Sequence, residues 1–227
     1  MSAFLRVVWL VLRKDMTVEV RSLEIVSTSL FFAVSCVLFF AVAFVQEGRA
    51  LEGAAAGILW IAIAFAGTLA LGRAFERERQ AETLRALLLA PVDRPAIYVG
   101  KLLGIVALLS VAELVLLPLI AYLFQAPFFT RPLWLAAVVI AGTIGYCTVG
   151  TLFAAMLVRA RSRDVLLPIL LYPITIPVII AGVRATAALL EPELEVAIVR
   201  FWVALLLAFD VVFVTLALWS FEPLMTD

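Results

Sequence analysis

Two carboxylic acids stand well inside long apolar runs, Glu113 and Asp210. An ionisable group in hydrocarbon is a candidate functional site, since even insertion-based scales put Asp at mid-helix at about 2.5–3.5 kcal/mol. No Lys, Arg or His falls in the centre of these runs to neutralise them. Protonated carboxyls, partnered by hydroxyls or backbone carbonyls of neighbouring helices, are therefore expected. A structural interhelix hydrogen bond and a transport role are both open readings. The chain has no His and two Cys, Cys36 and Cys147, both in apolar runs. That composition removes His-ligated haem, imidazole acid–base chemistry, His zinc sites and Cys clusters. Gly100-Lys101 is not the end of a phosphate-binding loop, because position 95 is proline and Leu102 follows the lysine.

A second chemistry is that of docking. Between two apolar runs lies Phe75-Glu-Arg-Glu-Arg-Gln-Ala-Glu-Thr-Leu-Arg-Ala-Leu-Leu-Leu-Ala-Pro91, a charged helix that becomes a short apolar one. Glu78 and Glu82 are four apart, and Leu84, Leu87 and Leu88 follow the spacing of a single helix face. Pro91 stops that helix, and Asp93 suits the N-cap of the next, with Pro95 in its first turn. A short helix with one apolar face either lies on a membrane or fills a groove on a partner. A third feature is the run Asp164–Gly182, where Pro168, Pro173 and Pro177 each remove a backbone donor. Such a helix is expected to kink or break, as a hinge, a substrate-facing wall or a packing kink.

These residues are positioned by a chain of 227 residues that is 66% hydrophobic and 15% charged, with mean hydropathy +1.18. Soluble domains run near 45–50% apolar and about 25% charged. With 17 basic against 17 acidic residues there is no cationic excess for nucleic acid. Six stretches are long enough to cross a hydrocarbon core of about 30 Å as helix, which takes roughly 20 residues. They are Ile25–Val45, Ala54–Gly72, Leu102–Phe124, Leu133–Val158, Val165–Val183 and Phe201–Trp219. Their unbroken apolarity means helices, not barrel strands, which would alternate. The class is thus all-α and polytopic.

Arg6, Arg13, Lys14, Arg21, Arg73, Arg77, Arg79, Arg85, Arg94, Lys101, Arg159, Arg161 and Arg163 fall on one face of that topology. Only Arg49, Arg131, Arg184 and Arg200 fall on the other, so both termini are expected in the cytoplasm. The organisation is then an amphipathic interfacial segment over 1–24, a six-helix transmembrane domain over 25–219 with a cytoplasmic loop over 73–101, and a short tail over 220–227. Phe4, Val7, Val8, Leu10 and Val11 form the apolar arc of the first segment, which reads as a membrane anchor or as an elbow helix bracing a transporter. Gly142, Gly145 and Gly150 allow close helix approach in the fourth span.

Six spans with this loop between the second and third resemble export-type permeases of ATP-binding-cassette transporters. Three stretches resemble, more closely, the haem exporter protein B (CcmB) family of cytochrome c maturation. They are Gly57-Ile-Leu-Trp60, the run from Phe75 through Leu87-Leu88-Leu89 to Pro91 and Lys101, and the Leu-Pro and Tyr-Pro-Ile-Thr-Ile-Pro pattern of the fifth span. The resemblance covers essentially the whole chain. One departure is Ala81-Glu82-Thr83-Leu84-Arg85, where that family has an acidic residue and Gly before Ser/Thr-Leu-Glu.

The resemblance implies a non-catalytic permease subunit in a bacterial inner membrane, whose ATP is hydrolysed by a separate CcmA-like ATPase. It implies a tryptophan-rich, CcmC-like haem-handling protein and a small single-span, CcmD-like protein as further partners, admits a second copy of the chain, and makes haem the cargo in view. On that reading Glu82, Thr83, Leu84, Arg85, Leu87, Leu88 and Leu89 form the coupling helix, and Pro168, Pro173 and Pro177 the hinge. No cofactor or metal is expected on the chain itself. A generic exporter of a lipid, polysaccharide or drug is the alternative. An intramembrane enzyme using the two acids lacks a nucleophile or metal set, and a scaffold would stimulate no ATPase.

Overall fold

The structure is a computed structural model and describes residues 3–46, 49–50, 53–80, 93–160 and 162–224. Seven α-helices make up almost all of it: α1 (Ala3–Ser22), α2 (Glu24–Phe44), α3 (Ala54–Gln80), α4 (Arg94–Phe124), α5 (Pro132–Met156), α6 (Arg163–Leu190) and α7 (Val196–Leu224). Helices α2 to α7 are each long and apolar enough to cross a membrane. A two-residue antiparallel pairing, β1 (Val45–Gln46) with β2 (Arg49–Ala50), lies between α2 and α3, with Val45 opposite Ala50. Short 3-10 turns follow α4 and α5.

The most buried helices are α3 and α5, and the most exposed are α2 and α7. Helix α3 packs on α2, α4, α5 and α6, while α5 packs on α4, α6 and α7. This order follows from residue size. Helix α5 carries Gly142, Gly145 and Gly150, and each receives a side chain of another helix: Trp60, Asp210 and Leu71 respectively. Lipid is as apolar as leucine, so close packing of small against large residues holds such helices together. Trp60 is 1% exposed and is also seated against Gly182 of α6, with its indole N–H donating to Thr186 Oγ1 at 3.0 Å.

Helix α1 is separate from α2. Leu23 takes a left-handed backbone (φ 52), and the Val26 N–H at the start of α2 is capped by Glu19 Oε1 at 2.9 Å. Helix α1 lies along α4, where Val11 and Val8 press on Gly100.

Several helices outrun their apolar cores. At 1.5 Å per residue, the 31 residues of α4 reach about 46 Å against a hydrocarbon core of about 30 Å. Helix α3 runs on through Gln80, so most of the expected 73–101 loop is helix. The expected tail over 220–227 is helical through Leu224, and Phe221 is buried against Tyr98 with ring centroids 5.2 Å apart. Helix α6 runs through all three prolines without a break, where a kinked or broken helix is the sequence expectation. Asp93 stands at the N-cap of α4, but its carboxylate makes no capping bond.

Candidate functional site

Helix α1, the C-terminal end of α3 and the N-terminal ends of α4 and α6 meet at one end of the bundle. The ionic contacts among the described residues gather there. From α3, two consecutive side chains reach in different directions. Arg77 donates to Glu19 Oε2 at 3.1 Å and Ser22 Oγ at 3.1 Å, and pairs with Glu24 at 3.4 Å. Glu76 accepts from Arg163 Nη2 on α6 at 2.6 Å. From α4, Lys101 Nζ stands 2.8 Å from Asp15 Oδ2 of α1, and Lys14 lies 3.0 Å from the other oxygen of the same carboxylate. Glu19, Lys101 and Arg163 are buried. Buried charges persist only when paired and hydrogen-bonded, so these contacts fix geometry more than they add stability.

The arrangement makes α1 a brace across both roots of the segment joining α3 to α4. Glu19 holds the α3 root and Asp15 the α4 root. Gly100 lets α1 approach the second root, since a Cβ there would lie 2.7 Å from Val11 Cβ. A cavity of about 180 Å3 remains beneath α1, lined by Met16, Ile25, Phe75, Gly104 and Ile105 among others. The coupling-helix residues Glu82, Thr83, Leu84, Arg85, Leu87, Leu88 and Leu89 lie outside the described residues.

A second cleft, of about 480 Å3, separates α3 from α6 at the same end. Thr68, Gly72, Arg73, Glu76, Arg163, Asp164 and Pro168 line it. Beside it sits a cluster of hydroxyls: Thr68 Oγ1 lies 2.7 Å from Tyr146 OH and 3.1 Å from Tyr172 OH, and Tyr146 OH donates to the Ala64 carbonyl at 2.7 Å. Of the three prolines, Pro168 borders this cleft, whereas Pro173 and Pro177 are exposed on the outer face of α6.

The two intramembrane acids both attach to α5 but do not meet at one site. Glu113 of α4 is buried and accepts a hydrogen bond from the Thr143 hydroxyl. Asp210 of α7 is buried against Gly145, and its Oδ1 has no partner among the described residues. No group of three or more metal-ligating side chains occurs among the described residues.

Sequence reasoning passed over Trp60 as an interhelical pin, and Glu19, Glu76, Arg77, Lys101 and Arg163 as joints. The available signal was position: each of these charges lies within about two turns of the end of an apolar run, where a helix extends past the lipid.

Six apolar helices, a separate amphipathic helix and, among the described residues, an ionic network gathered at one end define a multi-pass α-helical membrane protein. A family model described as CcmB protein matches residues 6–223. The chain belongs to the CcmB family. It is 31% identical to heme exporter protein B of Rhodobacter capsulatus over 136 residues, 60% of this chain and 62% of that protein. Against heme exporter protein B of Pseudomonas aeruginosa it is 27% identical over 171 residues, 75% of this chain and 76% of that protein. For heme exporter protein B of Escherichia coli strain K12 the figures are 29% over 96 residues, 42% and 44%. The first and third of these matched stretches span less than two thirds of the relatives they match.

Proposed function

We propose that this chain is the permease subunit of an ATP-binding-cassette complex that serves haem export, or release of a haem chaperone, in c-type cytochrome biogenesis. The observation that carries the reading is the family match over residues 6–223, and relatives along that match are named heme exporter protein B. On this reading the chain sits in the bacterial inner membrane, and the excess of basic residues on one face supports placing both termini and the 81–92 segment on the cytoplasmic side. ATP is bound and hydrolysed by a separate cytoplasmic ATPase. A tryptophan-rich haem-handling membrane protein and a small single-span protein complete the assembly.

The chain's own contribution is mechanical. Leu84, Leu87 and Leu88 fill a groove on the ATPase, as one apolar face of a short helix does. When two ATPase subunits close on ATP, the helix carries its two roots with it. Both roots are tied to α1, by Arg77 with Glu19 and by Lys101 with Asp15, so α1 moves with them as a unit. With no His in the chain, haem held by a partner and released by this motion fits the side chains better than haem ligated here.

Leu84→Glu and Leu87→Glu test the reading. Each variant is expected to insert normally and to lose co-purification of the ATPase. ATPase recovery at the wild-type level from both variants would overturn the docking assignment. Purification of the wild-type chain without any ATPase would overturn the permease reading itself.

A further inference from the structure

Helix α6 is held firmly at one end and adjustably at the other. At its C-terminal end Arg131 donates to the carbonyls of Leu189 at 2.8 Å, Glu191 at 2.9 Å and Pro192 at 3.0 Å, and the Trp60 indole is bonded to Thr186. A guanidinium on the last carbonyls of a helix satisfies acceptors that have no partner within it. In the other half of the helix the carbonyls of Asp164, Ile169 and Pro173 have no i+4 donor, because Pro168, Pro173 and Pro177 stand four residues on. That half is the compliant one.

At the compliant end the helix begins with Arg163, which is 6% exposed. Its Nη2 joins Glu76 Oε2 at 2.6 Å and the Gly72 carbonyl at 2.9 Å, both on α3, and its Nε lies 3.4 Å from Asp164. Two penalties fall on the same side chain. Its Nη1 is buried without a partner among the described residues, and a cation in the first turn opposes the helix dipole. The attachment to α3 is therefore offset by built-in costs, which suits a joint made and remade more than a permanent rivet. Beside it the 480 Å3 cleft separates α3 from α6 locally, so this end of α6 has room to shift.

We infer that Arg163 is the positioning residue that transmits displacement of the α3 root to α6, through Glu76. This rests on the permease reading. Glu76 and Arg77 are neighbours, so one displacement of α3 pulls α1 through Arg77 and α6 through Glu76.

The experiment compares the complete membrane complex carrying E76Q, R163Q or the swapped pair E76R with R163E. Three quantities are read: complex recovered, its ATPase rate, and holocytochrome c formed by the cells per complex. Dividing the last by the second gives a coupling ratio. Each single change is expected to lower that ratio about tenfold, and the swap to restore it to within about threefold of wild type. A merely structural role would lower the amount of complex and leave the ratio of the remainder unchanged. Wild-type ratios in both single variants overturn the joint, and so does a swap no better than the singles. Loss of complex in the singles, with the swap also unrecovered, overturns it too. Absence of an ATPase from the wild-type complex would instead sink the permease reading.

Discussion

The sharpest packing prediction concerns the slot that holds Trp60. A Cβ added at Gly142 would stand 2.0 Å from Trp60 Cη2, and one at Gly182 would stand 2.3 Å from Cε2. Carbon atoms in contact sit about 3.5–4.0 Å apart, so the ring would have to retreat by about 1.5 Å. It cannot, because α5 and α6 close on it together and the indole N–H is tethered to Thr186. Overpacking typically costs about 1–3 kcal/mol, and approaches of 2.0 and 2.3 Å put these sites in the upper part of that range, about 2–3 kcal/mol, against which replacing Gly by Ala within a helix returns about 1 kcal/mol. Gly142→Ala is therefore expected to lower stability by about 1–2 kcal/mol, and Gly182→Ala by a similar amount. The assay is reversible unfolding in mixed micelles titrated with a denaturing detergent, run as a double-mutant cycle with Trp60→Leu. Trp60→Leu alone costs about 2–4 kcal/mol, in line with large-to-small core changes. The smaller side chain vacates the space the new methyl needs, so the double variant should be more stable than the sum predicts by about 1 kcal/mol or more. Gly142→Ala at wild-type stability, or costs additive within about 0.5 kcal/mol, would refute the slot as the organiser of α3, α5 and α6.

Three further outcomes follow from other contacts. Leu23 occupies the left-handed region between α1 and α2, where its Cβ already costs about 1–2 kcal/mol, so Leu23→Gly should leave stability unchanged or raised by up to about that amount while the β-branched Leu23→Val lowers it in the same titration. Glu113→Gln keeps an acceptor for the Thr143 hydroxyl and should fold and function as wild type, whereas Glu113→Leu should lose about 0.6–1.7 kcal/mol; a functional defect in the glutamine variant would point to the proton of this carboxyl. Pro173→Ala with Pro177→Ala restores two backbone donors in α6, and should leave assembly intact while reducing holocytochrome c; a wild-type yield would reduce both prolines to packing.

Much of the architecture is legible in the chain. Six runs of apolar residues give six membrane-crossing helices, and the amphipathic arc before them gives α1. The boundaries were less legible, because hydropathy reports where lipid ends and not where the helix ends. The charged helix from Phe75 and the N-cap at Asp93 are readable, but not that they are continuous with the second and third spans, nor that Glu76, Arg77 and Lys101 find partners on α1 and α6. The prolines of α6 are visible as missing donors, but which way they face is not: Pro168 borders a cleft, while Pro173 and Pro177 face outward.

Composition and periodicity by themselves decide that this chain crosses a membrane as six helices, that its charge is concentrated on one side, and that α6 lacks three backbone bonds. These are local properties, set by transfer free energies and by the covalent structure of each residue. What only the packed molecule decides is who meets whom. Trp60 and Thr186 are 126 residues apart, Arg163 and Gly72 are 91, and Arg77 and Glu19 are 58. No periodicity within one helix encodes such a pairing. It depends on which glycine of α5 or α6 accepts which side chain, and on how far α3 and α4 project before α1 crosses them.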